Sequence, residues 1–171
     1  MTRPTPLLRA FGPVLPVLRD MHAANIRFLV AGARAGILHG HRRRTLDFDF
    51  CVLPDVQALD RLLDILHAHG FRSLDVVDAG GFADRVNARF AGAVHLDFLV
   101  HPAAFEFTAA WSRHETVEIA GVPVHFVALD DLLAMKRAAG RPKDLGDIEA
   151  LEELRRIAKL PLRRRRPARS R

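Results

Sequence analysis

The sequence predicts an α/β (α+β) protein with a mixed, largely antiparallel central sheet and flanking helices. Short apolar runs with strand composition recur along the chain, and segments with helical spacing lie between them. The two kinds of segment do not alternate regularly, and three strand-like runs follow one another with only turn-forming residues between them. Such successive strands are typical of antiparallel pairing.

The first half of the chain predicts a helix, a buried strand, a second helix and a second strand. Residues 15–24 have helical spacing, and the apolar run 28–31 is a strand that stops at Gly32. Residues 33–41 are predicted to form the second helix. After a basic turn, residues 46–53 have the composition of a strand.

The second half begins with an amphipathic helix over residues 56–69, which ends at Gly70, a helix C-terminal signal. Three strands and a hairpin follow, and two helices complete the fold. These elements are predicted, in order, over residues 73–77, 85–90, 94–100, 117–119, 122–127, 129–139 and 145–157.

Length and charge predict one domain over residues 1–158 and a basic, Arg- and Pro-rich tail over residues 159–171. The chain has 171 residues, enough for one well-packed core. Of the net charge of +6, seven positive charges lie in the tail, which leaves −1 for the domain. The tail cannot bury enough apolar surface to fold alone, and it is suited to bind RNA by counterion release. The alternative is compositional bias, since Arg far outnumbers Lys in this chain.

Several classes of protein are excluded by composition. No segment approaches the roughly 18–20 apolar residues of a membrane helix, so a soluble, cytoplasmic protein without a membrane partner is expected. The single cysteine, Cys51, excludes an internal disulfide and is expected to be a buried thiol. The histidines show no spacing typical of a zinc site.

Asp47 and Asp49 are two residues apart in the second predicted strand, so their carboxylates should share one face. Leu46, Phe48 and Phe50 should then face the core. Two close carboxylates repel each other unless a cation or proton intervenes, which favours a divalent metal site. The alternative is a solvated acidic edge.

A third acid, Asp97, lies within an otherwise apolar predicted strand. Because burial of an unpaired charge is costly, Asp97 needs a cation, hydrogen-bond donors or a metal. A neighbouring strand that carries the first two acids would complete a metal site with it. The small-residue turn at Gly32 and Ala33 begins a predicted helix, where backbone N–H groups can hold phosphate oxygens. The alternative is an ordinary turn between strand and helix.

These features together resemble the nucleotidyltransferase superfamily that includes polymerase-beta-like enzymes. The nearest resemblance is to minimal members related to the toxins of abortive-infection and type IV toxin–antitoxin systems. The family pattern is a strand ending in Gly-Gly or Gly-Ser, a helix, a D-x-D strand and a later acid in a hydrophobic strand. Residues 31–52 and 129–151 carry most of the likeness. Ala33 departs from the pattern, since it replaces the usual Gly or Ser and removes a hydroxyl that could contact phosphate.

The resemblance implies a nucleotidyltransferase-like fold and a Mg²⁺ (or Mn²⁺) cofactor held by Asp47, Asp49 and Asp97, which would also be the catalytic residues. The basic candidates would neutralise charge on the leaving pyrophosphate, and for each of them a solvated surface position is the alternative. The nucleotide-binding candidates are Gly32, Ala33, Arg34, Arg44, Thr45, Lys136, Arg137, Arg141 and Lys143.

The leading hypothesis is a Mg²⁺-dependent enzyme that transfers a nucleotide from a nucleoside triphosphate to a hydroxyl on RNA, protein or a small molecule. By resemblance, transfer RNA and a cognate antitoxin are further partners. The first alternative, motivated by Ala33, is a catalytically inactive protein of this fold that acts as an RNA-binding or antitoxin partner. The second is a structural protein whose acids pair with the basic run 42–44.

Overall fold

A computed structural model describes residues 6–158 of the chain, so the predicted basic tail lies outside the described residues. No helix in this range is long and apolar enough to cross a membrane. The helices are α1 (Pro6–Phe11), α2 (Leu15–Ala23), α3 (Gly32–Leu38), α4 (Val56–Ala68), α5 (Ala79–Ala83), α6 (Phe107–Trp111), α7 (Leu129–Ala139) and α8 (Pro142–Ala158). The strands are β1 (Phe28–Val30), β2 (Phe48–Val52), β3 (Arg72–Ser73), β4 (Asn87–Ala91), β5 (His95–Leu99), β6 (Glu115–Ile119) and β7 (Val122–Phe126).

The described strands form one seven-stranded sheet in the order β3-β4-β5-β2-β1-β7-β6. The pairs β2–β5 and β1–β7 are parallel, and the other four neighbouring pairs are antiparallel. The predicted mixed, largely antiparallel sheet with flanking helices is therefore confirmed. The meander β3-β4-β5 and the hairpin β6-β7 are antiparallel, as the turn residues between them predicted.

The strand register separates the residues of the sheet into two faces. Phe48, Phe50 and Phe98 lie on the first face and are buried, with the Phe50 and Phe98 rings 5.3 Å apart. Phe11 at the end of α1 packs edge-on to Phe48 at 5.2 Å. The opposite face carries the alternate residues, including the buried thiol of Cys51, and it bears the cleft described below. The first face therefore anchors the core and leaves the second for polar side chains.

The predicted burial of Leu46 is wrong, because this side chain is 83% exposed and β2 begins only at Phe48. The guanidinium of Arg34 binds the carbonyls of Leu46 and Asp47, at 3.4 and 2.9 Å. These carbonyls are thus tied to helix α3 through Arg34. Asp47 therefore precedes the strand instead of lying within it.

Two further predictions need correction in the segment between α4 and β4. The predicted strand over 73–77 is reduced to two residues, because the Ser73 hydroxyl accepts the N–H of Val76 at 2.8 Å and turns the chain. Residues 78–81, which follow this run and were expected only to turn the chain, begin helix α5. Its N-cap is Asp78, whose carboxylate accepts the Gly81 N–H at 2.7 Å. The short helices α1 and α6 were also missed, since five or six residues are too few to show helical periodicity.

Candidate active site

The second face of the sheet brings the predicted acids together. Asp49 of β2 is the direct neighbour of Asp97 in the parallel strand β5, so both side chains point to the same side. Both are partly buried, whereas Asp47, two residues before Asp49, is exposed. The Asp47 Oδ1 atom lies 3.9 Å from Nδ1 of His95, which is on the same face of β5. Two neighbouring strands therefore place Asp49 and Asp97 side by side, with Asp47 just before β2, and Asp49 lines the cleft described below.

The charges of these acids interact with one another. Burial raises the pKa of Asp49 to about 6, and the negative charges of Asp97 and Asp47 add to the rise. Burial also raises the pKa of Asp97, and the charge of Asp47 contributes. Two cations, Arg141 and Lys143, act in the opposite direction on Asp49. The acids thus lie close enough to oppose each other's ionisation.

Gly32, which follows strand β1, leaves room for the side chain of Asp49 in the neighbouring strand β2. Its φ of +58° lies in the left-handed region that favours glycine, and a Cβ atom at this position would lie 1.9 Å from Oδ2 of Asp49. The backbone next to it is fixed as well, since the Ala31 N–H donates to the Asp49 carbonyl at 2.8 Å. The Asp49 carboxylate therefore occupies the space that any other side chain at position 32 would need. Ala33, the first residue after it, is buried.

The Arg34 side chain lies against the backbone of residues 46 and 47, just before β2, and is not part of the cleft wall. Its side chain is buried, its carbon Cζ lies 3.4 Å from the centroid of the Phe48 ring, and its nitrogens bind two backbone carbonyls. Burial lowers its pKa to about 10, against the opposing charges of Asp49 and Asp47. In this position Arg34 holds the backbone of Asp47, and its predicted contact with the nucleotide stays a prediction.

A buried ionic cluster joins α7 and α8 to the loop before β2. The Lys136 Nζ atom lies 2.6 Å from Asp147 Oδ2 and 3.3 Å from Asp144 Oδ1, and all three side chains are buried. Asp147 also forms an ion pair with Arg43, and its Oδ1 atom lies 3.0 Å from Nε2 of His41. Burial would raise the pKa of Asp147, but Lys136 and Arg43 keep it below its usual range. The cluster fixes the course of the chain toward the acids.

The remaining cationic candidates fall into two groups. Arg141 is held by Asp144, with Nε 2.6 Å from Oδ2, and both Arg141 and Lys143 act on the charge of Asp49. Lys136 is engaged in the buried cluster. Arg137 is exposed and pairs with Glu152 of α8. The structure therefore brings Arg141 and Lys143 toward the acids and engages Lys136 and Arg137 in ion pairs within the chain.

Arg44, the last residue of the basic run, and Thr45 lie in the loop that leads to Asp47. Arg44 is exposed and Thr45 is partly buried. Their predicted contact with the nucleotide stays a prediction.

A cleft of about 350 Å³ lies beside Asp49, between the second face of the sheet and helix α7. Its wall is apolar on the α7 side, where Leu132 and Met135 face Leu99 of β5. Its polar wall groups are Asp49, Asn87, Lys136 and Arg141. A cleft with an apolar wall and a few convergent polar groups is typical of a small-molecule site.

Four polar residues near Asp97 were not singled out from the sequence. Arg89 of β4 is the cross-strand neighbour of Asp97, and Asn87 lies two residues before it on the same face. Asp75 binds Arg89, and His95 approaches Asp47. The alternation along the predicted strands 85–90 and 94–100 could have placed Asn87 and Arg89 on one face of the first strand, and His95 on the face of Asp97 in the second. Alternation alone does not predict the register in which Arg89 is the cross-strand neighbour of Asp97.

The donor set fits a hard divalent cation. Carboxylate oxygens are the ligands that Mg²⁺ prefers in proteins, and Asp49 is partly buried beside like charges. Within residues 6–158 no three His, Cys, Asp or Glu side chains are arranged as a ready-made metal site. The carboxylates at the edge of the cleft thus have suitable chemistry, and the metal itself remains a proposal.

Comparison with protein families identifies one match. The sequence profile of a family described as "Nucleotidyltransferase of unknown function (DUF6036)" matches residues 15–165. This range contains both acidic strands and the α7–α8 segment. No curated protein matches the chain by sequence.

Solved structures with a similar fold include two enzymes of antibiotic modification. The structure of ANT(2″)-Ia in complex with adenylyl-2″-tobramycin has a TM-score of 0.56 and 18% identity, and the match covers 87% of this chain and 96% of that one. The lincomycin-bound lincosamide antibiotic adenylyltransferase LnuA gives a TM-score of 0.59 and 13% identity, over 84% of this chain and 96% of that one. At such identities the likeness shows the fold alone, and the predicted nucleotidyltransferase-like fold is confirmed.

A third similar structure is an antigenic nucleotidyltransferase-like protein from Paracoccidioides brasiliensis. Its TM-score is 0.52 at 21% identity, and the match covers 86% of this chain and 76% of that one. It has the same fold.

Gly32→Ala is expected to disable the site. The new methyl would collide with the Asp49 carboxylate, and displacement of a reacting group by about 1 Å costs on the order of a hundredfold in rate. Nucleotide transfer by the purified variant measures the effect. Gly70→Ala is the matched control, because Gly70 has a φ of +78° with no atom within 4 Å of the added Cβ. It should cost about 1 kcal/mol of stability and leave transfer unchanged. Equal transfer by both variants would contradict the assigned contact.

Asp49→Asn is expected to stabilise the protein at high pH in the presence of a chelator. The folded-state pKa of Asp49, about 6, is above the ordinary value of 3.8, so the fold favours the protonated carboxyl. The corresponding stability is present below pH 3.8 and is lost as the pH rises through about 6. At pH 8 the variant should be more stable than wild type by about 2 kcal/mol, measured by urea unfolding, and the difference should shrink at pH 5. Asp64→Asn, at an exposed position on α4, is the control and should show no such change.

Lys136→Met is expected to destabilise the fold by about 2–3 kcal/mol, because it leaves two buried carboxylates short of a partner. Arg137→Met on the same helix breaks only an exposed ion pair and should cost less than about 1 kcal/mol. Urea unfolding of both variants measures the difference. A loss no larger for Lys136→Met than for Arg137→Met would show that the buried cluster does not stabilise the structure.

Proposed function

The chain belongs to this nucleotidyltransferase family, and on that premise we propose that its acidic cleft transfers a nucleotide from a nucleoside triphosphate to an acceptor hydroxyl in a Mg²⁺-dependent reaction. The observation that carries the proposal is the placement of Asp49 and Asp97 as direct neighbours on parallel strands, with Asp47 beside them. A structural protein gains nothing from carboxylates that raise one another's pKa. An enzyme gains a cation-binding site from the same arrangement.

Asp47, Asp49 and Asp97 are the residues proposed to hold Mg²⁺ or Mn²⁺. When bound, such an ion neutralises the carboxylates and the phosphate oxygens and holds the triphosphate in place. The Gly32 contact keeps the Asp49 carboxylate close to the strand end. Arg34 fixes the backbone of Asp47, so that the exposed acid stays at the edge of the cleft.

The triphosphate is proposed to lie on the α8 side of Asp49. Arg141 and Lys143 are the cations that act on Asp49 from this side, and Asp144 holds Arg141. They would stabilise the charge of the leaving pyrophosphate. Arg44 and Thr45 are proposed to contact the triphosphate from the loop before β2, and the Gly32-Ala33 backbone from the start of α3.

Asp97 is proposed to accept the proton of the attacking hydroxyl. The acceptor oxygen forms a bond to the α-phosphorus, the bond from the α-phosphorus to the bridging oxygen breaks, and pyrophosphate leaves with that electron pair. Attack and departure must be roughly in line. The acceptor hydroxyl is therefore proposed to approach from the side of Asp97.

RNA, protein side chains and small molecules all carry a suitable hydroxyl. The tobramycin and lincomycin in two structures of similar fold support a small-molecule acceptor, through the fold alone. The resemblance to toxins of the superfamily supports transfer RNA and a cognate antitoxin, and a basic tail over 159–171 would favour RNA.

Labelled nucleotide transfer tests the proposal. The purified protein is incubated with each labelled triphosphate, Mg²⁺ and cell extract, and we expect a labelled product that is lost on chelation. Asp47→Ala and Asp97→Asn should lower the rate at least about a hundredfold, by loss of charge stabilisation and of the proton acceptor. Asp64→Asn, which removes an exposed acid of α4, should retain the rate. An absence of product from wild type, or unchanged labelling by Asp47→Ala, would refute the proposal.

Nucleotide binding without turnover is a second candidate function, favoured by Ala33. This residue has no hydroxyl to offer to phosphate, and its side chain is buried. Calorimetry with a non-hydrolysable triphosphate separates the two functions. Mg²⁺-dependent binding by a protein that forms no product would favour the second.

A further inference from the structure

Arg89 lies beside the third acid on the outer side of the acidic row. It is the cross-strand partner of Asp97 in the antiparallel pair β4–β5, so the two side chains share the second face of the sheet. The positive charge of Arg89 also opposes the rise that burial causes in the pKa of Asp97. The row across the sheet is therefore Asp49, Asp97 and Arg89.

The Arg89 side chain is held in one orientation by Asp75. The Asp75 Oδ2 atom accepts a hydrogen bond from Nε of Arg89 at 3.0 Å, and Oδ1 accepts the backbone N–H of Arg89 at 2.9 Å. Within residues 6–158 the terminal nitrogens Nη1 and Nη2 make no hydrogen bond. The Arg89 side chain is 57% exposed, whereas that of Asp75 is only 16% exposed. Asp75 thus fixes one edge of the guanidinium and leaves its two terminal groups open to a ligand.

The proposed role of Asp97 indicates what Arg89 can bind. Asp97 is proposed to take the proton of the attacking hydroxyl, so that hydroxyl must lie within hydrogen-bond reach of Asp97. Arg89 is the cross-strand neighbour of Asp97 on the same face of the sheet. Arg141, a cation proposed for the leaving pyrophosphate, lines the cleft next to Asp49. Arg89 therefore lies beside the group that is proposed to receive the proton of the acceptor.

We propose, on the basis of the proposed function, that Arg89 binds the acceptor by donating from its terminal nitrogens to an oxyanion next to the attacked hydroxyl, with Asp75 as the positioning residue. A guanidinium has only donors, so it binds oxygen acceptors and repels an ammonium group. The acceptor class is thus one with a phosphate or carboxylate near its hydroxyl. A phosphodiester of RNA and a free phosphorylated small molecule have this chemistry in common, whereas a polycationic amino sugar lacks it.

The test compares acceptor and triphosphate kinetics in the purified full chain. Transfer of labelled nucleotide is measured against dilution series of two extract fractions, total RNA and protein-free small molecules. Arg89→Met should raise the apparent KM for the active fraction about tenfold or more and leave the KM for the triphosphate unchanged, since a charge-assisted hydrogen bond is lost only on the acceptor side. Arg89→Lys should restore part of the loss. Asp75→Asn should raise the acceptor KM by a smaller factor, about threefold, because Arg89 keeps its charge but loses its anchor.

Arg19→Met, at an exposed arginine of α2 on the other side of the sheet, is the matched control and should change neither KM. Depletion of the small-molecule fraction on an anion-exchange resin should remove acceptor activity if the acceptor is a free phosphorylated compound, and activity in the RNA fraction assigns it to the phosphodiester. An unchanged acceptor KM in Arg89→Met, a rise in the triphosphate KM instead, or depletion by a cation-exchange resin would overturn the inference. Absence of transfer by wild type would refute the proposed function itself, which is a separate result.

Discussion

The candidate site depends on two carboxylates that neighbouring parallel strands hold side by side although their negative charges repel each other. Asp49 and Asp97 are neighbours in register. Burial raises the pKa of both, with the charges of Asp97 and Asp47 adding to the rise for Asp49 and the charge of Asp47 adding to it for Asp97. The sheet supplies this arrangement because its first face is filled by packed phenylalanines. The register that pairs Phe50 with Phe98 on this face also pairs Asp49 with Asp97 on the other. The site is thus maintained at a cost in stability that the core offsets.

The surrounding residues limit where these acids can move. Gly32 leaves space that the Asp49 carboxylate fills, and Arg34 binds the backbone carbonyl of Asp47 from below. On the other side of the cleft, Lys136 and Asp147 tie two helices to the loop that leads into β2. None of these contacts requires a ligand. The acidic edge is therefore preorganised by the chain itself, which is what electrostatic catalysis requires.

The arginines near the acids are held by different parts of the chain. Arg141 lines the cleft that Asp49 also lines, and Asp144 of α8 holds it. Arg89 is the cross-strand neighbour of Asp97 on β4, and Asp75 holds it. Each guanidinium is thus anchored by a carboxylate of its own. These contacts assign different partners to cations that look equivalent in the sequence.

The sequence by itself determined the fold class, most helices and strands, and the three acids, because alternation and helical spacing are local properties of the chain. It also indicated the glycine turn at Gly32. Only the tertiary structure decided that Arg34 and Lys136 are buried in ion pairs and carbonyl contacts, that Leu46 is exposed, and that Arg89 lies beside Asp97. Those positions depend on strand register and on contacts between residues far apart in the chain. A side chain's partner across such a distance is set by packing, which no local pattern encodes.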